Sequence, residues 1–274
     1  MMGGVKRKFS HLTHPVQGEI WCLHRLVSTR SIYPSNRDLE ITPDFLERQV
    51  VEYKSKGFSF VTLEQLLGHQ SLLLPQKRVN VSFDDGFKDV YEEAFPILRK
   101  HNVPFTLYLT TGFPDGTADL WWIQLEKGRS VDEFERIMKA VYESGKPMAE
   151  EMHRLTQTDP DRKLCLDLAL NWVEIKEMVD SGLCTVGSHT VSHPGLVRID
   201  AKEVSSELHE SKRVIKEKLG IEVAHLSYPH SMQDERVQRM VAEAGYTSAT
   251  LGYGGNVRKG DDIYCLNRKH IIQD

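Results

Sequence analysis

Apolar residues recur along this chain in two alternating rhythms. Short runs with strand-like length and composition lie at 19–27, 58–61, 79–83, 103–111, 184–187, 223–229, 247–251 and 263–266. Between most of them the spacing changes to the three-to-four-residue period of a helix, as at 43–57, 62–67, 91–101, 171–181, 200–219 and 235–244. The punctuation agrees. Thr42 precedes Pro43 as an N-cap, Thr62 opens the second helix, and Gly57, Gly182, Gly220 and Gly245 are natural stops. Pro96 falls inside 91–101 and predicts a kink there. Strand, helix and strand at this spacing imply parallel pairing through crossover helices. With seven or eight such strands the pattern favours an α/β barrel over an open sheet.

The rhythm breaks between 112 and 167. Trp121-Trp122 is followed by charged, weakly periodic helical stretches at 131–144 and 149–156. The expectation is one domain over 1–274 with a helical insertion at about 112–167. Such an insertion either shapes a cleft over the scaffold or packs as a plain cap.

Composition narrows the function classes. A chain of 274 residues with 40% hydrophobic content can bury a sizeable core. The formal net charge of -4, with both signs interspersed, offers no footprint for nucleic acid and no polybasic membrane patch. No apolar run approaches the roughly 18 residues of a membrane span. Lys6-Arg7-Lys8 reads as a solvated terminus, and no apolar stretch follows it as in a signal peptide. Cys22, Cys165, Cys184 and Cys265 are dispersed and read as reduced, buried thiols. Together these features set a cytoplasmic location as the expectation.

The chemistry gathers just after predicted strands: His24, Asp84-Asp85, His189 with His193, and Tyr228-Pro229-His230. In parallel α/β folds functional groups collect at the carboxyl ends of strands. Adjacent carboxylates crowd like charges, which a cation relieves. His189 and His193 lie between Gly187 and Pro194, so a tight loop converges the two imidazoles. Two His and one carboxylate leave positions open for water and substrate, as in a catalytic site. Zinc suits such a site, and so do other divalent ions. His11, His14, His69, His101, His153, His209 and His225 read as surface or packing residues, and His270 is left unassigned.

These residues carry a resemblance. Ser82-Phe83-Asp84-Asp85-Gly86 resembles the first motif of the polysaccharide deacetylases, the NodB-homology or carbohydrate esterase family 4 group. Ser188-His189-Thr190-Val191-Ser192-His193 resembles the second. Leu226-Ser227-Tyr228-Pro229-His230-Ser231 is similar to the third as it occurs in one branch, and Gly245-Tyr246-Thr247-Ser248-Ala249 fits the next landmark. Leu23-His24-Arg25-Leu26 is similar to the opening of the branch that deacetylates poly-N-acetylglucosamine and other exopolysaccharides. The likeness covers most of the chain outside the insertion.

The resemblance implies a distorted (β/α)7-type barrel and a metal-dependent hydrolase that removes N-acetyl groups from an amino sugar, releasing acetate. It implies one divalent ion, zinc or else cobalt, nickel or manganese, on Asp85, His189 and His193, with an N-acetylated carbohydrate as partner. Asp84 would be the general base, and the backbone N–H of His230 would help hold the oxyanion. His24 would be the general acid, its strand permuted to the N-terminal end, with packing as the alternative. Two departures stand out: Ser227 replaces the Arg that orients the base, and Ser231 replaces a Gly. Arg268 or Arg25 is then expected to supply the guanidinium. Three rival readings stay open: a hydrolase of the same fold acting on a non-sugar amide, a catalytically silent carbohydrate-binding module, and a purely structural barrel, against which the clustering of polar groups at strand ends argues.

Overall fold

The computed structural model describes residues 15–68 and 77–273. Lys6-Arg7-Lys8, His11, His14 and His69 lie outside them. Seven strands form the scaffold: β1 Val16–Leu23, β2 Arg78–Phe83, β3 Phe105–Leu109, β4 Cys184–Ser188, β5 His225–Ser227, β6 Ser248–Gly254 and β7 Leu266–His270. Each runs parallel to the next, and β1 pairs with both β2 and β7, so the sheet closes on itself. The predicted barrel is therefore present, and closure leaves β1 without a free edge on either side of its barrel segment.

Alternation along the strands divides the barrel into two environments. Val79, Val81 and Phe83 of β2, with Phe105, Leu107 and Leu109 of β3, join the main apolar cluster under helix residues such as Leu98, Ile175, Leu208 and Ile215. The intervening positions carry Asn80, Ser82 and Thr106, all fully buried. Thr106 Oγ1 donates to Asn80 Oδ1 at 3.2 Å, and Asn80 Nδ2 donates to the Val61 carbonyl at 3.1 Å. A barrel interior lined by polar side chains explains why β2 alternates, where a parallel strand buried on both faces usually reads as continuously apolar.

The helices begin where the capping signals place them. The Thr42 side chain accepts from Phe45 N–H at the start of Pro43–Ser55. Thr62 with Gln65, Asn171 with Glu174, and Asp200 with Glu203 form complete capping boxes. Three expectations need correction. The 58–61 run forms only the two-residue edge strand Ser59–Phe60. The 91–101 helix is two pieces, a π turn at Val90–Ala94 and an α-helix at Phe95–Lys100, because Pro96 belongs in the first turn of the second piece. The last strand is Leu266–His270 rather than 263–266. Its polar sequence hides the strand, since Arg268 points into the barrel and is only 1% exposed.

Between β3 and β4 lie the helices Trp121–Gln124, Val131–Glu143, Met148–Thr156 and Arg162–Leu168. They bury a cluster of their own, including Phe113, Trp121, Phe134, Val141 and Met152, which also takes in Tyr33 from the segment after β1. None of the four cysteines forms a disulfide; Cys22 and Cys165 are buried, whereas Cys184 and Cys265 are only half-buried. Among the described residues no helix is long and apolar enough to cross a membrane.

Close packing at the strand that delivers the histidine loop gives a test. A Cβ at Gly187 would lie 2.5 Å from the Tyr108 ring and 3.0 Å from the His225 carbonyl. Gly187→Ala should therefore destabilise the protein by about 1–3 kcal/mol, read as a lower urea midpoint at unchanged slope.

Candidate metal and catalytic site

The register of the barrel brings the sequence motifs to one rim. Leu23 pairs with Phe83, Phe83 with Leu107, Leu109 with Ser188, and Ser188 with Leu226. The residues that follow these strands therefore emerge side by side. Asp84 N–H donates to the Leu23 carbonyl at 2.9 Å, and His189 N–H to that of Leu109 at 2.8 Å. The rim is tightly turned. Asp85, Thr190, His193, His230 and Ser231 all have positive φ, between 55° and 73°, a conformation non-glycine residues adopt at a cost of roughly 1–3 kcal/mol each. Ser231 thus holds, at φ 55°, the position where the resemblance leads one to expect a glycine.

Asp85, His189 and His193 converge. Asp85 Oδ1 lies 3.4 Å from His189 Nε2 and 3.2 Å from His193 Nε2, and the two ring nitrogens are 3.1 Å apart. Atoms about 2.0–2.1 Å from one ion in a tetrahedral array would be about 3.3–3.4 Å apart, so this triangle matches one face of such a site. Two further observations fit. Asp85 Oδ1 is buried and has no hydrogen-bond partner. His189 Nδ1 donates to the Ser227 carbonyl at 2.8 Å, which leaves the Nε2 lone pair facing its two neighbours.

Asp84 faces the other way and is clamped. Arg268 Nη1 donates to Oδ1 at 2.7 Å, and Nη2 donates to Oδ2. The same guanidinium donates to Ser82 Oγ at 3.0 Å and, through Nε, to the Leu251 carbonyl at 2.6 Å. Ser227 bridges the pair, accepting from Arg268 Nη2 at 2.8 Å and donating to Asp84 Oδ2 at 3.1 Å. Arg268, from the closing strand, therefore contacts the carboxylate that the missing motif Arg was expected to orient. Arg25 does not: it pairs with Asp89 at 3.0 Å and lies over the Phe87 ring.

Charge explains the titration of these groups. Burial pushes Asp84 up, but Arg268 and His189 overcome it and hold the carboxyl down at about 2. Asp85 also faces a burial penalty, yet the two imidazoles keep it well below the usual carboxylate range. His189 is raised despite burial, because both carboxylates draw a proton to it. Two carboxylates against one guanidinium leave a net negative charge, which a proton on His189 or a bound cation balances.

The cluster forms the floor of a cleft of about 580 Å³. His24 stands on one side, with Nε2 4.0 Å from Asp84 Oδ2. Burial lowers it to about 4, so it is neutral at neutral pH. His230 sits on the opposite side, with its ring 4.5 Å from that of His193. Several neighbours had no functional reading from sequence. Trp122 packs on His193 at 4.9 Å, and the Tyr142 hydroxyl meets His230 Nδ1 at 3.1 Å. Cys22 points its thiol at Asp84 Oδ2 from 4.0 Å, and burial keeps that thiol protonated by pushing it up to about 12. His270 also lines the cleft. Only the side-by-side Trp pair offered a signal for any of these.

Comparison with known proteins gives consistent matches. Residues 73–249, well over half of the chain, match the family model described as polysaccharide deacetylase. YxkH of Bacillus subtilis, whose own polysaccharide deacetylase name is provisional, is 21% identical over 259 residues, 94% of this chain and 72% of that protein. Poly-beta-1,6-N-acetyl-D-glucosamine N-deacetylase of Staphylococcus aureus is 31% identical over 77 residues, 28% of this chain and 27% of that enzyme's length. Among solved structures, the Streptococcus pyogenes deacetylase PplD in complex with acetate superposes with a TM-score of 0.69 at 20% identity. That match covers 94% of this chain and 93% of PplD, and it supports the fold.

The clamp on Asp84 can be tested by its stability. Arg268→Met would leave a buried carboxylate unpaired and should cost about 3–5 kcal/mol at pH 7. In the parent, Asp84 sits below its unfolded value, so its contribution is present above about pH 4 and is lost as pH falls toward 2. In the variant the guanidinium is gone and only His189, His24 and the Ser227 hydroxyl oppose burial, so the carboxyl rises and acidification relieves part of the strain. The stability gap between the two, measured by urea unfolding at pH 7 and pH 5, should narrow at the lower pH. A gap independent of pH would contradict the pairing.

Proposed function

The chain belongs to the polysaccharide deacetylase family, and from that premise we propose that it is a metal-dependent carbohydrate N-deacetylase. Its substrate is an N-acetylated amino sugar, and its products are acetate and the free amine. The observation that carries the reading is the juxtaposition at the cleft floor. A triangle of Asp85, His189 and His193 with edges of 3.1–3.4 Å stands beside a second carboxylate, Asp84, held ionised by Arg268.

In this reading Asp85, His189 and His193 hold one divalent ion, with zinc as the first candidate from the donor set. When bound, such an ion polarises the amide carbonyl and lowers the pKa of a coordinated water from 15.7 to about 7. The remaining work falls to the chain. Asp84 takes the water's proton; its bidentate clamp fixes both oxygens, so one orientation is presented to the reacting centre. His24, neutral at the outset, passes a proton on to the leaving nitrogen, and Asp84 is its nearest carboxylate at 4.0 Å. One proton thus moves from water to amine with no net uptake. The His230 backbone N–H, in its left-handed turn at φ 55°, supports the developing oxyanion. Trp121, Trp122 and Met138 provide an apolar wall beside His193 for the acetyl methyl group.

Acetate release from N-acetylglucosamine oligomers, with the protein loaded in turn with zinc, cobalt, nickel or manganese, tests the reading. His189→Ala should lose stoichiometric metal and turnover together. Asp84→Asn should keep the metal and lose turnover, and His24→Ala should be slower by roughly 10²–10⁴. Near-normal acetate release by Asp84→Asn would remove Asp84 as the base. Release from formamides or ring amides but not from acetylated sugars would favour a hydrolase of the same fold with another substrate.

A further inference from the structure

The walls of the cleft come from segments far apart in sequence, and each is tied to the next. The segment after β1 is bonded to the insertion. Tyr33 Oη donates to the carbonyls of Glu126 and Arg129 at 2.8 and 2.7 Å, and Asn36 Nδ2 donates to that of Trp122 at 2.9 Å. Ser35 N and Oγ both donate to the Glu135 carboxylate, at 3.1 and 2.9 Å. The insertion is bonded in turn to the loop after β5 through Tyr142 and His230, and Arg198 fixes the end of the same helix by donating to the Val141 and Lys146 carbonyls. That loop is bonded to β6, where Gly252 N–H donates to Ser231 Oγ at 2.7 Å. Strand β6 pairs with β7, and just beyond the end of β7 Gln273 Oε1 accepts from the Thr42 N–H at 2.8 Å. The circuit returns to the segment where it began.

A rim joined all the way round encloses a pocket, whereas a polymer-binding groove is open at both ends. Depth adds to the constraint. Asp84, Asp85 and His189 are no more than 3% exposed, so the reacting amide must descend to them. A sugar in the middle of a polymer carries a glycosidic bond on each side and needs two gaps in the rim. A sugar attached at one point needs none, because its one linkage leaves through the mouth. At the mouth stand two exposed aromatic rings, Tyr142 and Tyr253, 41% and 52% accessible. They offer faces for the next sugar outward.

Resting on the deacetylase reading, we propose that the substrate enters end-on: the enzyme deacetylates a terminal amino sugar of a glycan or a short sugar conjugate, and not internal residues of a polymer. Specificity for the chain end resides in the seam between the segment after β1 and the insertion, with Ser35 and Glu135 as its closing pair.

The experiment uses the metal-loaded protein with β-linked N-acetylglucosamine oligomers of one to six residues, 1,4- and 1,6-linked, and maps each free amine by tandem mass spectrometry. The expected result is amines confined to one end, with kcat/KM level beyond about two sugars. Binding of the same oligomers to Asp84→Asn, measured by calorimetry, should likewise stop tightening at that length. Opening the seam with Ser35→Gly and Glu135→Ala together should admit internal residues. Internal amines made by the parent, with rates still climbing with length, would overturn the proposal. An opened variant still confined to the end would overturn the assignment of the barrier to this seam. Absence of acetate from every oligomer and from the single sugar would bring down the deacetylase reading itself, and this inference with it.

Discussion

The ion pair between Arg268 and Asp84 is the interaction on which the site rests. It joins the last strand of the barrel to the loop after the second, across β1, which pairs with both. Both partners are nearly inaccessible, so their desolvation is repaid only by complete hydrogen bonding. The barrel interior supplies that. Ser82, Ser227 and the Leu251 carbonyl take up the guanidinium's other hydrogens, and Ser227 and Cys22 add donors to the carboxylate. A polar interior is an odd choice for a barrel core, and around Ser82 and Ser227 the ion pair accounts for it. Ser82 and Ser227 are small enough to admit an arginine and polar enough to satisfy it.

The same arrangement separates two carboxylates that are neighbours in sequence. Asp84 continues the inward alternation of β2 and meets Arg268. Asp85, at φ 73°, turns its carboxylate toward the histidine pair. Among the described residues seven non-glycine positions have positive φ, and five of them, Asp85, Thr190, His193, His230 and Ser231, lie on the rim of this site. Strain concentrated in this way is stable only where surrounding structure over-determines it. Here the supports are visible. The Thr110 N–H donates to the Asp85 carbonyl, Glu207 accepts from the Val191 and Ser192 N–H groups, and Thr190 Oγ1 accepts from the His193 N–H.

Much of this was legible in the chain. Strand ends marked by Asp84-Asp85, by His189 and His193, and by Tyr228-Pro229-His230 could be read because apolar periodicity stops where chemistry begins. The closing strand could not be placed the same way. Leu266-Asn267-Arg268-Lys269-His270 has the composition of a loop, and its pairing is set by β1 and β6 rather than by its own pattern. The need for a guanidinium was evident from Ser227 in the third motif, but choosing Arg268 over Arg25 required the register of that strand. The pocket walls were less legible still. Tyr33, Asn36 and Glu135 are ordinary polar residues in sequence, and their role comes from contacts across roughly a hundred positions of chain.

The clamp carries a chemical consequence. A carboxylate held at about 2 is ionised at every working pH, but it is a weak base, because the contacts that orient it also stabilise its charge. Such a base removes a proton effectively only from a water that has already been made acidic. In the proposed reading, a cation held by Asp85 Oδ1 and the two Nε2 atoms beside it would create that condition. Proton return follows the same logic. A weakly basic carboxylate gives its proton up readily, and His24, kept neutral by burial, stands 4.0 Å away to receive it. In the proposed reaction, transfer from Asp84 toward His24 runs in the direction a leaving amine requires. On this proposal, orientation by Arg268 and delivery by His24 both follow from holding Asp84 as a weakly basic anion in a pocket where its neighbours supply what it lacks in basicity.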